Sequence, residues 1–111
     1  MTEIMEMLEE MGLTGKFKGY YYVIDAILIR QEMDYAPFHI TKDIYPDIAD
    51  RYGITRESVE FAIRNTVQYC WDNSREQLCR YAGYSLKSRP SNMVFIEILS
   101  NYIRKTNTST Q

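Results

Sequence analysis

The sequence predicts an all-α fold, a single domain of six helices. Three observations carry this expectation. Apolar residues recur at helical spacing in five separate segments, capping residues and glycines punctuate the ends of these and mark a short sixth, and no segment keeps the strict alternation of a half-buried strand. The nearest approach to a strand, YYYVI at 20–24, alternates poorly and runs directly into helical spacing. With 45% hydrophobic and 25% charged side chains, and only five Gly and three Pro in 111 residues, the composition is that of an ordinary globular domain. A chain of this length buries one core without staples and has no room for two.

The elements follow in order. Thr2 is placed to cap a first helix whose apolar positions are Ile4, Met5, Leu8 and Met11, stopped by Gly12. Residues 20–33 put Val23, Ile24, Ile27 and Leu28 on one face of a second helix, and the pattern breaks before Pro37. Pro46 suits the first turn of a third helix, carrying Ile48, Ala49 and Tyr52, because its missing N–H costs nothing there. Gly53 fits the left-handed residue that ends this helix. Thr55 can cap the fourth, with Glu57 near its positive end. That helix runs to about Trp71 and buries Val59, Ala62, Ile63, Val67 and Cys70. Ser74 with Gln77 has the spacing of a capping box for a short fifth helix ending at Gly83. Ser91, after Pro90, can cap a sixth bearing Phe95, Ile98, Leu99 and Tyr102. Residues 105–111, ending in the polar NTSTQ, are expected to form a frayed tail. The chain shows no internal repeat, low-complexity segment or internal linker.

The formal net charge is −2, and its location matters more than its size. Glu3, Glu6, Glu9 and Glu10 place four negative charges in the first fifteen residues, leaving 13 basic against 11 acidic side chains over residues 16–111. The acidity is mostly one helix, so a nucleic-acid partner is not excluded, although a strong non-specific binder carries a larger basic excess. No apolar run is long enough to span a bilayer and the N-terminus is acidic where a signal peptide is basic, so a cytoplasmic protein with no membrane partner is expected. Cys70 and Cys79 lie nine residues apart without a CxxC or a nearby His, which points to small buried thiols and not to zinc or redox chemistry. The only histidine, His39, has no Ser, Cys or carboxylate constellation around it. Asp43, Asp47 and Asp50 suit a helix start and a solvated face better than a magnesium site. There is no glycine-rich phosphate loop. Neither an enzyme nor a cofactor is expected.

The stretch YPDIADRYGITRESVEFAIRN, residues 45–65, carries the functional signal. In a helix-turn-helix two helices cross at a fixed angle, which requires a small residue in the first, a glycine at the turn and branched apolar residues beneath the second. Ala49, Gly53, Ile54 and Val59 meet these requirements, and a three-helix core can use the same pattern merely to pack. Removing the core positions leaves Arg56, Glu57, Ser58, Glu60, Phe61 and Arg64 outward on the fourth helix, beside the capping Thr55. Arg can donate twice to guanine, Glu can accept from cytosine, and Phe can touch a thymine methyl or pack on sugars. The alternative is a solvated face of i,i+4 charge pairs, on which Phe61 is out of place unless it marks a protein-binding patch. The fifteen aromatics fit burial better than single-strand stacking. Lys16 and Lys18, flanking Phe17 before the second helix, fit a phosphate contact and simple solvation equally well.

Residues 13–104 closely resemble the DNA-binding effector domain of the master sporulation response regulator of endospore-forming Firmicutes. The resemblance rests on KGY at 18–20, ITK at 40–42, YPDIA at 45–49, VE with AIR at 59–64, Trp71, and GY at 83–84, with SLKSRPSN following. It implies six helices, the third and fourth forming a helix-turn-helix, and double-stranded DNA as partner, read as tandem boxes with a TGTCGAA-like core by copies that can pair on DNA. Glu60 and Arg64 match residues that the family places at the DNA surface, and Lys42, Lys87 and Arg89 match basic positions able to neutralise phosphates. Ser58 and Phe61 stand where the family typically has arginine, and the loop between Gly83 and Pro90 is shorter, which implies a changed box and weaker sequence-independent attraction. A receiver domain cannot be accommodated in 111 residues, so phosphorylation control within this chain is not expected.

The function expected is therefore a sequence-specific transcriptional regulator domain whose recognition helix, about 56–71, enters the major groove. Base contacts are expected from Arg56, Ser58, Glu60, Phe61 and Arg64, and backbone contacts from Lys42, Thr55, Lys87 and Arg89. The alternative is a protein-interaction module of the same fold that has lost DNA binding and engages a protein partner through Phe61 and the acidic first helix.

Overall fold

The computed structural model describes the backbone of residues 2–34 and 36–109 and the side chains up to residue 106. Six helices and one π turn follow one another. They are α1 (Thr2–Glu10), α2 (Gly19–Glu32), the π turn (Ile40–Ile44), α3 (Tyr45–Tyr52), α4 (Arg56–Asn73), α5 (Arg75–Ala82) and α6 (Asn92–Ser109). No strand occurs among the described residues, and the three tyrosines 20–22 open α2 as expected.

α2 is the hub. It packs against α4 and α6 and also reaches α1, α3 and the π turn. A helix surrounded in this way is apolar around much of its circumference, and Tyr20, Val23, Ile24, Ala26 and Ile27 are all buried. The core closes with Leu8 from α1, Ile44 and Ile48 from the π turn and α3, Ile63 and Val67 from α4, and Phe95 and Leu99 from α6, each fully removed from solvent. The expected inner face of α4 is buried throughout, with Thr66 added to it. None of the described helices is long and apolar enough to cross a membrane.

The helix ends follow local chemistry. Gly53 (φ 65°) and Gly83 (φ 86°) take the left-handed conformation that closes α3 and α5, which a Cβ would strain. Thr55 Oγ1 accepts the Ser58 N–H at 3.0 Å and caps α4, and Ser91 Oγ accepts the Val94 N–H at 3.2 Å at the start of α6. α1 already includes Thr2, so that residue lies inside its first turn.

Three local expectations are corrected. Ser74 forms no capping box with Gln77, since its hydroxyl donates instead to the Met11 carbonyl oxygen at 2.8 Å, tying the end of α1 to α5. A long-range backbone acceptor has won over a local donor. Tyr52 is not a core residue. The residue is 41% exposed, and its hydroxyl turns inward, donating to Asp25 Oδ2 at 2.6 Å. The stretch before Pro46, to which the sequence assigns no element of its own, is the π turn, which runs without a break into α3. The Asp43 carboxylate closes its start by accepting the His39 N–H at 2.8 Å, the helix-start role expected of that residue.

Cys70 is buried on α4, and burial pushes its thiol up to about 12. Cys79 is half-buried and its Sγ accepts the Leu86 N–H at 3.3 Å, which fastens the loop after α5. The backbone of α6 stays helical to Ser109, while residues 110 and 111 of the expected frayed tail lie outside the described residues.

Candidate nucleic-acid interface

α3 and α4 are joined by three residues, Gly53, Ile54 and Thr55, and pack directly on each other. Three contacts with α2 hold α3 in place. The buried Asp25 carboxylate of α2 accepts from Tyr52 and pairs with Arg51 at 3.2 Å, while the Tyr52 ring meets Tyr22 edge-on with centroids 5.0 Å apart. Burial first, then the hydrogen bond to Asp25, pushes the Tyr52 hydroxyl up to about 12, so it stays a donor at any working pH. From the other side Asn92, at the start of α6, donates to Tyr45 Oη at 2.8 Å and to the Glu60 carbonyl oxygen at 3.2 Å. Asn92 thus stitches α6 to both α3 and α4. Burial, the largest influence, keeps Tyr45 neutral.

With its inner face committed to the core, α4 turns Arg56, Glu57, Ser58, Phe61, Arg64 and Asn65 to solvent, and Glu60 is half-buried. Phe61 is 58% exposed, an unusual position for so large an apolar side chain. Arg64 donates to both carboxylate oxygens of Glu60 one turn earlier, and its guanidinium lies 5.9 Å from the centre of the Phe61 ring. Glu60 raises the pKa of Arg64, so its positive charge is permanent. The i,i+4 pairing of the alternative, solvated-face reading is therefore present at this position.

The expected base-contact residues fall on two sides of one ridge. Arg56, Glu60, Phe61 and Arg64 share a concavity with Thr41 of the π turn. A neighbouring concavity joins Arg64 and Glu60 to Arg89 and Pro90 of the loop after α5. Ser58 lies on the opposite flank, beside Phe61 and Asn65. Its hydroxyl accepts from Thr55 Oγ1 at 2.9 Å, so the two hydroxyls at the start of α4 engage each other. Arg89 is fixed over the middle of α4 by donating to Gln68 Oε1 at 2.6 Å. Lys42, next to Thr41, and Lys87, two residues before Arg89, are exposed and contribute to none of these concavities.

Two residues that hold this arrangement escaped the sequence reading. Asp25 was visible only as a lone carboxylate in the apolar run YYYVIDAILI, and Asn92 only as part of SRPSN. Among the described residues no group of three His, Cys, Asp or Glu side chains is placed to hold a metal ion.

One helix turned outward, carrying arginines, an acid and an exposed aromatic ring, with basic side chains on adjoining segments, is the kind of surface that DNA-binding domains present to a duplex. The family described as Sporulation initiation factor Spo0A C terminal matches residues 4–103, and the chain belongs to it. It is accordingly an all-α, DNA-binding effector domain of a sporulation response regulator, acting in transcription regulation.

Proposed function

We propose that α3, the Gly53–Thr55 turn and α4 form a helix-turn-helix, and that α4 enters the major groove to read sequence in double-stranded DNA. The observation that carries this reading is the outward face of α4, where Arg56, Glu60, Phe61 and Arg64 share one concavity. In its roles, Arg64 and Arg56 donate to purine edges, Glu60 accepts from a cytosine amine, and Phe61 packs on a thymine methyl or a sugar. Ser58 makes a secondary base contact. Lys42, Thr55, Lys87 and Arg89 hold phosphates and set the register, sequence-independently. Tandem boxes with a TGTCGAA-like core are the starting targets, with two copies pairing on DNA, and the setting is the cytoplasm.

Fluorescence anisotropy with a duplex of two tandem boxes, against a scrambled duplex and over several salt concentrations, tests the reading. Preferential binding with a steep salt dependence is the expected result. If neither this duplex nor any member of a randomised pool is preferred, the DNA-reading role fails. The exposed Phe61 would then favour a protein-binding surface.

A further inference from the structure

A trough runs between the segment preceding α2 and the second flank of α4, away from Arg64 and Arg89. Its outer wall is KFKG, residues 16–19. Phe17 is the peg that holds this wall, its ring against Tyr69 of α4 with centroids 4.7 Å apart. Gly19 is the point of closest approach, for a Cβ there would lie 2.1 Å from Thr66 Oγ1 and 2.6 Å from the Ala62 carbonyl oxygen. Peg and glycine together hold Lys16 and Lys18 beside α4, and both are exposed. They line the trough with Ser58, Phe61 and Asn65, and no Asp or Glu lines it. Phe61 belongs both to this trough and to the concavity of Arg56 and Arg64, so the two surfaces meet at its ring.

We infer that this trough takes the sugar–phosphate backbone of duplex DNA, Lys16 and Lys18 each holding a phosphate while the Phe61 ring edge packs on a deoxyribose. The inference rests on the DNA-reading role proposed for α4. A helix lying in a major groove about 12 Å wide has a row of phosphates on each side. Arg89 serves one side, and on the other the trough offers charge of only one sign, complementary to phosphate. Lysine suits the task, as a compact ammonium that meets phosphate as a point charge. Continuity with the face of α4 makes the occupant the same duplex.

The test compares the unaltered protein with Lys16→Ala/Lys18→Ala on its preferred duplex and on a scrambled one, from low to high salt. Two lost phosphate contacts make the slope of log K against log salt shallower by about 1–2. Affinity for both duplexes should fall by the same factor, leaving the preference intact. Lys16→Arg/Lys18→Arg, which keeps both charges, should retain the slope. Lys105→Ala, about 20 Å along α6 from Asn92, should leave it unchanged. An unchanged slope in the alanine double variant, or an equal flattening by Lys105→Ala, overturns the inference alone. If the unaltered protein prefers no duplex, the reading of α4 falls and this inference with it.

Discussion

Arg64 is held in free protein by Glu60 and Phe61, and the strength of that hold decides whether it can serve a ligand. Arg64 is exposed and Glu60 half-buried, and i,i+4 pairs at a helix surface are weak, so Arg64 can exchange a carboxylate for a guanine edge at little cost. Arg64→Ala is therefore expected to leave the urea unfolding midpoint nearly unchanged. It should cost about 1–3 kcal/mol of binding at a single box position, where preference should relax. Binding to duplexes varied one position at a time checks this, and an equal loss on every duplex would remove Arg64 from the base-contact set. Arg64 and Glu60 were legible because their partnership is local, four residues apart on one helix. Asp25 and Asn92 were not, since Asp25 meets Tyr52 27 residues away and Asn92 meets Glu60 and Tyr45 at separations of 32 and 47. Nothing at a single position announces such a partner.

At the scale of elements, helix ends and close approaches decide how α4 is presented. Thr55→Ala removes the acceptor for the Ser58 N–H and should lower stability by about 0.5–2 kcal/mol, read from urea unfolding. The Thr55 and Ser91 caps and the Gly53 turn were legible because a cap is a local bargain between a side chain and the backbone two or three residues on. The Ser74 capping box failed because its hydroxyl is turned away from the helix start to donate to the Met11 carbonyl, 63 residues away. Gly19 was missed for a related reason, as the space it vacates is filled by another helix. Gly19→Ala should destabilise by about 1–3 kcal/mol, because α2 and α4 must part to admit the methyl. Adding Thr66→Ala should recover only part of this, since the Ala62 carbonyl remains in the way. Full recovery in the double variant would mean that the helices are not in backbone contact there.

For the molecule as a whole, the radius of gyration is 13.2 Å, against about 13 Å for a chain of this length packed as one domain. A single body should unfold in one step, so groups spread over several helices act on one stability. Tyr20, Tyr45, Tyr52 and Tyr81, on three helices, all titrate above the ordinary tyrosine value chiefly because their hydroxyls are buried, and Cys70, on a fourth, does the same for a thiol. In the unfolded chain these groups ionise near their ordinary values, about 10 for Tyr and 8.5 for Cys. Their folded values are raised, so their contribution is fully present below the unfolded values and is lost as pH climbs towards about 12. The urea midpoint should stay level up to about pH 8, fall from about pH 9, and fall steeply between 10 and 12. Tyr52→Phe should shallow the last part of that fall. A midpoint level through pH 12 would contradict the burial of these hydroxyls.

What the sequence by itself determined is the all-α class, the order of six helices, the Gly53 turn, the caps at Thr55 and Ser91, and which face of α4 is buried. Each depends on spacing within a few residues, and helical periodicity prints that on the chain. The tertiary structure alone decided the π turn before α3, the inward turn of the Tyr52 hydroxyl, the diversion of Ser74 and the closeness of α2 to α4. It alone brought Lys16 and Lys18 beside Ser58 and Phe61, and Arg89 beside Arg64. These depend on how helices pack across long separations, where buried polar groups take the best partner within reach and not the nearest in sequence.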